Sequence, residues 1–296
     1  MDIQSLQAFV AVAEQESFSR AGDALHLTQP AVSKRIASLE EQLNQKLFDR
    51  IGRNIKLTQA GNALLPRARH LLADLKDTRR MLANLSGEIQ GSLILATSHH
   101  IGLHRLPPLL KAFTQAHPQV KLDMRFQDSE QAYAGVLTGN LELAIVTLAP
   151  QPDPALVVVP VWLDQLRFVV AKDHPLSQQA NLKLEDLTQH DAVLPGQQTF
   201  TRGIVSKVFK EQGLELNVTL STNYMETIKM MVSIGLGWSL LPETLIDESL
   251  AVLKLDHQPI TRPLGFLYHR ERTLSNAAHQ MIQLLLGLKN LKTNKV

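Results

Sequence analysis

At 296 residues, with 44% hydrophobic and 20% charged side chains, the chain is long enough for two domains and has the composition of an ordinary globular protein. It contains no cysteine, which excludes thiol nucleophiles, disulfide switching and cysteine-held metal and fits a reducing compartment. The net charge of +2 is too small to single out a polyanionic partner, but it is unevenly spread: residues 17–70 carry nine Lys/Arg against four acids, +5 over 54 residues, and the rest is net acidic.

The first elements read as short helices. Leu6, Phe9, Val10, Val12 and Ala13 form one apolar helical face. Ser17 offers a hydroxyl cap to a small-residue helix running to Leu25. Thr28 then precedes Gln29-Pro30, with proline in a first turn where its missing N–H costs nothing. The helix that follows buries Val32, Ile36, Leu39 and Leu43 and leaves polar residues at its start. Residues 47–57, with Gly52 and Asn54 between apolar residues, suit a short hairpin. Thr58 caps a long helix in which Leu64, Ala68, Leu71, Leu75, Thr78, Leu82 and Leu85 follow alternating four- and three-residue steps, the a/d pattern of a coiled coil. Pro66 predicts a bend near its start. We expect the stripe Leu64, Ala68, Leu71, Leu75, Leu82 and Leu85 to pair two copies of the chain. A hinge is expected over residues 87–91.

From Leu93 the pattern alternates between strand and helix. Strands are predicted at 93–96, 120–126, 143–146, 166–170, 193–194, 218–220, 238–241 and 264–268. Helices are predicted at 106–116, 133–137, 203–211 and 225–234, which argues for an α/β domain with mostly parallel strands. No apolar run approaches the ~18 residues of a membrane span. The start, Met1-Asp2-Ile3-Gln4-Ser5, lacks the basic and apolar regions of an export signal. A cytoplasmic protein without a membrane partner is expected.

The segment from Ser17 to Arg50 reads as helix, turn, helix, with side chains at the start of the second helix able to enter a major groove. Gln29 and Ser33 lie one turn apart, and glutamine can pair with adenine. Lys34 and Arg35 can reach phosphate or guanine, and Arg50 and Arg53 can reach backbone or minor groove. Thr28, Gln29, Pro30, Ser33, Lys34, Arg35, Arg50 and Arg53 are thus the candidate DNA-binding residues. The phrases Ala21-Gly22-x-Ala24-Leu25, Thr28-Gln29-Pro30-Ala31-Val32-Ser33, Ile36-x-x-Leu39-Glu40, Leu47-Phe48-x-Arg50 and Leu57-Thr58-x-Ala60-Gly61 stand in the order and spacing of a known signature, and the chain resembles the LysR-type transcriptional regulators. The resemblance implies a winged helix-turn-helix (1–58), a dimerising linker helix (59–86) and a two-lobed, periplasmic-binding-protein-like effector domain (92–296). The first lobe would hold about 92–161 and 268–296, the second about 162–267. It also implies binding to interrupted palindromes of double-stranded DNA, as a homodimer or a homotetramer, with RNA polymerase a further candidate partner.

In such a domain the ligand sits between the lobes, where strand ends and helix N-termini converge and suit anions, carboxylates above all. The candidate effector-binding residues are Thr97, Ser98, His99, His100, Thr147, Thr199, Thr201, Arg202, Thr222, Asn223 and Tyr224. The stretches Ser98–Pro108 and Asn223–Met231 are similar to regulators found beside leucine-biosynthesis genes, which would imply a small branched carboxylate of the isopropylmalate type. His100 and His104 have a spacing used for zinc, but no acid or cysteine nearby in sequence completes a set, so no metal is expected. GxSxG, GxxxxGK[ST], HExxH and strand-borne GxGxxG are all missing. No catalytic residue and no cofactor are assigned, and the alternative is a solute-binding protein without catalysis.

Overall fold

A computed structural model describes residues 1–51 and 54–293, leaving aside the side chains of residues 50, 51, 54 and 289–293. The chain divides into two compact units, Met1–Ser86 with Thr138–Asn140, and Gly87–Leu137 with Leu141–Val296. In the first, α1 (Ile3–Gln15), α2 (Phe18–Leu25) and α3 (Gln29–Leu43) precede a hairpin of β1 (Phe48–Ile51) and β2 (Asn54–Leu57), and α4 (Gln59–Asn84) follows. Each of three helix starts is fixed by its own cap: Asp2 accepts from the Ser5 amide at 2.8 Å, Ser17 from Arg20 at 3.3 Å and Thr58 from Gly61 at 3.0 Å. The apolar faces of the helices meet around Phe9, Phe18 and Phe48, whose rings stack edgewise at 5.4 and 5.9 Å between centroids.

A buried acid joins α3 to the hairpin. Glu40 accepts the Leu47 amide at 2.8 Å and an ion pair from Lys46 at 2.7 Å. Burial pushes its carboxyl up, but the Lys46 ammonium and the backbone amides outweigh burial and hold it below its ordinary value. Behind the hairpin, Gly61 lies so close to the Leu47 carbonyl that an added Cβ would stand 2.2 Å from its oxygen. That carbonyl also accepts the Thr58 amide at 3.0 Å, which ties the hairpin to the start of α4.

The heptad stripe of α4 is divided in its use. Leu64 and Ala68 pack into the core of their own unit, and Ala68 has no exposure left to offer another chain. Leu71, Leu82 and Leu85 are exposed, Leu85 to 79%, and Leu75 is half-buried. The first two positions read as seam from spacing alone therefore belong to the unit's own core, because the hairpin and α1 pack against that turn.

The second unit contains β3 (Gly91–Thr97), α5 (His99–His104), α6 (Pro107–Ala116), β4 (Val120–Phe126), α7 (Ser129–Leu137), β5 (Leu143–Thr147) and β6 (Leu156–Ala171). These are followed by α8 (Leu184–Thr188), β7 (Ala192–Leu194), α9 (Phe200–Lys210), β8 (Val218–Ser221), α10 (Met225–Ser233), β9 (Ser239–Pro242), β10 (Leu250–Val252), β11 (Ile260–His269) and α11 (Asn276–Thr293). The main sheet runs β10-β6-β11-β5-β3-β4, with β9 also on β6. It is mixed rather than mostly parallel: β3 is parallel to β4 and β5, while β11 is antiparallel to β5 and β6, and β9 and β10 are antiparallel to β6. β7 and β8 form a separate parallel pair.

Two long strands, β6 and β11, pass from one lobe to the other side by side. Leu93, Phe113, Trp162, Leu264 and Phe266 belong to the first lobe's core, and Leu166, Phe168, Phe209, Trp238 and Ile260 to the second's. The return crossing thus lies near residue 263, not at 267–268, since Leu264, Phe266 and Leu267 already pack in the first lobe. The first half of β6 escaped the sequence reading because Pro160 interrupts it. Proline is tolerated there at a register shift opposite Gly265. Trp238 is fully buried. It stacks on Phe209 at 5.4 Å and donates its indole N–H to the Leu187 carbonyl at 2.9 Å.

Candidate functional site

The candidate DNA-binding residues begin at Thr28, the N-cap residue of α3, with Pro30 in the first turn. Thr28, Gln29, Pro30 and Lys34 are exposed, and Ser33 and Arg35 are half-buried. The Gln29 amide donates to the Ser33 hydroxyl at 2.9 Å, so these two share one face, as their spacing predicts. Arg35 turns toward α1, where it donates to Gln4 at 2.9 Å. The side chain of Arg50 and the whole of Arg53 lie outside the described residues.

Gln29→Ala should lower affinity for a specific duplex by about 1–3 kcal/mol, the worth of one bidentate base contact. Affinity for a scrambled duplex should stay within a few-fold. Competition binding at fixed salt measures both, and an equal loss on the two duplexes would remove Gln29 from base reading.

The second unit holds a cavity of about 170 Å³. That is smaller than the ~300–1,000 Å³ of drug-sized pockets and suits a small metabolite. Its wall is assembled from the ends of strands and the starts of helices. β3 and α5 contribute Ser98, His99 and His100, and the segment after β4 contributes Gln127, Asp128, Ser129 and Glu130. Thr147 ends β5, Thr199 and Thr201 stand at the start of α9, Asn223 to Met225 lead into α10, and Arg262 comes from β11.

Of the predicted residues, Ser98, His99, His100, Thr147, Thr199, Thr201, Asn223 and Tyr224 line this cavity. Thr97 does not. Its hydroxyl donates to the Ile145 carbonyl at 2.9 Å inside the sheet. Arg202 also stays outside, its guanidinium held by the Pro195 carbonyl and the Ser206 hydroxyl, both at 3.4 Å, and burial lowers its pKa. Thr222 is outside the wall too, where its hydroxyl accepts the Tyr224 amide at 3.4 Å. Thr199 caps α9, accepting from the Arg202 amide at 3.2 Å.

Sequence reading missed Arg262 in the wall and the charged residues that hold it from behind. Asp164 on β6 and Arg262 on β11 are cross-strand partners, each 2% exposed and joined at 2.9 Å. Arg105 donates to the other Asp164 oxygen at 2.7 Å. Burial pushes the Asp164 carboxyl up, yet His100, Arg262 and Arg105 outweigh it and hold the group well below the usual carboxylate range. Its contribution to stability is therefore complete above the ordinary carboxylate pKa of about 3.9 and is lost as pH falls toward the lowered value. A second Arg262 nitrogen donates to Thr201 at 3.1 Å, and its buried Nε has no hydrogen-bond partner among the described residues. The signal in sequence was weak: Asp164 is the one acid of β6 and Arg262 the one arginine of β11.

Acids close the rim. Asp128 accepts from the Asn223 amide at 2.6 Å, Asn223 in turn accepts the Gly196 amide at 2.9 Å, and Glu130 accepts the Phe200 amide at 2.6 Å. Beside the cavity, Glu226 on α10 accepts from His104 at 2.9 Å and stands 3.7 Å from His100. The acid that no neighbouring sequence offered to His100 and His104 thus arrives from a segment more than 120 residues later. Burial pushes Glu226 up, but its backbone hydrogen bond and the two imidazoles leave it lowered.

Comparison with known proteins agrees with this geometry. Residues 3–62 match the model of the bacterial regulatory helix-turn-helix protein, lysR family, and residues 86–288 that of the LysR substrate binding domain. An uncharacterized HTH-type transcriptional regulator in the ibpB-leuC intergenic region of Azotobacter vinelandii is 68% identical over 108 residues, 36% of this chain and 75% of that protein. A probable RuBisCO transcriptional regulator of Synechocystis is 30% identical, covering 96% of this chain and 85% of its own length. Among solved structures, a cysteine-to-aspartate variant of full-length OxyR from Pseudomonas aeruginosa superposes with a TM-score of 0.69 at 22% identity, over 98% of this chain and 95% of that one.

Proposed function

The chain belongs to the LysR family of transcriptional regulators, and from that premise we propose that its second unit senses a small organic carboxylate in the cavity walled by Arg262. One observation carries this reading. The Arg262 guanidinium is anchored on two sides, by Asp164 and Thr201, while its Nε stays buried at the cavity wall without a hydrogen-bond partner among the described residues. A buried cationic donor without an acceptor is costly, and an anion bound beside it relieves that cost. The hydroxyls of Ser98, Thr147 and Thr201 supply neutral contacts for a hydroxy-acid.

Effector binding changes the population of lobe arrangements and with it the DNA-bound state of the first unit. Thr28, Gln29, Pro30, Ser33 and Lys34 read double-stranded DNA with an interrupted palindrome, and Arg35, Arg50 and Arg53 add salt-dependent affinity. The exposed part of the α4 stripe, Leu71, Leu75, Leu82 and Leu85, joins two copies, and such dimers pair into tetramers. DNA as partner supports a cytoplasmic location. The name of the Azotobacter relative, which includes leuC, supports a branched dicarboxylate of the isopropylmalate type as effector.

Calorimetry with small branched mono- and dicarboxylates should show saturable binding by the wild-type chain. The matching amides should bind at least about tenfold more weakly, the worth of one charge-assisted hydrogen bond. Binding of amide and acid with equal affinity, or of neither, would overturn the carboxylate reading.

A further inference from the structure

Two histidines of α5 and one acid of α10 form a cluster that the carboxylate reading does not use. The nitrogens of His100 and His104 and a carboxylate oxygen of Glu226 all lie within 4.8 Å of one another. The Glu226 oxygen is 2.9 Å from His104 Nε2 and 3.7 Å from His100 Nδ1, and the two rings stand 4.9 Å apart. Four-coordinate zinc with bonds of about 2.0–2.1 Å sets its donor atoms roughly 3.3–3.5 Å from each other. The three groups therefore need only small side-chain adjustments to share one ion.

A hydrogen bond joins His104 to Glu226, whereas His100 stands 3.7 Å from both Asp164 and Glu226, within ion-pair range but beyond a hydrogen bond. His100 is 4% exposed, and neither ring nitrogen has a hydrogen-bond partner among the described residues. An imidazole always carries at least one N–H or lone pair that demands a partner, and leaving such a group buried and unmade costs about 1–3 kcal/mol. A cation on Nδ1 would remove that cost. On the far side of the ring, Nε2 faces Asp164 at 3.7 Å, the arrangement in which a ligating histidine directs its other N–H to a carboxylate.

We propose that His100, His104 and Glu226 form a site for a borderline divalent cation of the zinc class, with Asp164 orienting His100. Two imidazoles and one carboxylate are the donor set such ions take when one coordination position is left open. Because α5 belongs to the first lobe and α10 to the second, the ion would cross-link the lobes beside the cavity.

The test uses the full-length untagged chain, stripped with chelator and titrated with Co2+ as a spectroscopic probe. The expected result is one equivalent per chain with the strong visible absorption of four-coordinate Co2+, displaced by Zn2+. His104→Gln and Glu226→Gln should each weaken binding by at least the roughly 100-fold that loss of even an outer-shell partner can reach. His99→Gln, a cavity neighbour outside the donor set, should bind as wild type does. Tryptophan fluorescence reports the fold of each variant, since Trp162 and Trp238 lie in the two lobe cores. If the wild-type chain takes up no Co2+, or if the His104→Gln/Glu226→Gln double variant binds it equally well, the site does not exist.

Discussion

Arg262→Met should destabilise the second unit by about 3–5 kcal/mol, because it strands the Asp164 carboxylate in the interior. Asp164 is 2% exposed and takes ion pairs from both Arg262 and Arg105. Arg105 covers one carboxylate oxygen, and the other would keep only His100 at 3.7 Å. Urea unfolding followed by tryptophan fluorescence measures the loss in the second unit alone, since Trp162 and Trp238 are the only tryptophans in the chain. Asp164→Leu combined with Arg262→Met should recover most of the stability, because replacing a whole buried pair by apolar residues is close to neutral. Carboxylate binding should not recover with it. A single variant within about 1 kcal/mol of wild type would mean that the pair behaves like an exposed one.

Gly61→Ala should have the opposite distribution of effects. The new Cβ would stand 2.2 Å from the Leu47 carbonyl oxygen and 2.8 Å from a Leu57 methyl, and the first contact is with backbone that cannot move aside. The cost should reach the upper end of the ~1–3 kcal/mol typical of overpacking. It falls on the joint between hairpin and α4, so DNA affinity should drop while the fluorescence transition of the second unit stays in place. Gly203→Ala is the control: it lies in α9 with nothing within 4 Å of an added Cβ and should be neutral or slightly stabilising. Retained DNA binding by Gly61→Ala would mean that the hairpin can shift without consequence for reading.

The helix starts of the first unit were legible in sequence because their signals are local. Ser17, Thr28-Gln29-Pro30 and Thr58 mark helix starts within one turn of the residues they serve, and caps work at that range. The strand-end residues of the cavity were legible for the same reason, since Ser98, Thr147 and Asn223 stand at or just beyond the ends of strands. The charged wall was not. Arg262 and Asp164 are 98 positions apart, Arg105 and Asp164 are 59 apart, and only the register of β6 on β11 sets the first two opposite each other. Heptad spacing misled for a related reason: it records which face of α4 is apolar, not whether the first turns of that face are covered by their own chain, as Ala68 is.

The β6–β11 ribbon sets the mechanics of the sensor. A single flexible tether would let the lobes swing freely about one point. Two antiparallel strands paired along their length, with one register shift at Gly265, resist bending more than a single strand and yield more readily in twist. Asp164 and Arg262 face each other on it, two residue pairs in from its end at Ile260. A load on that pair would act on both strands at once, where a single tether would pass it through one.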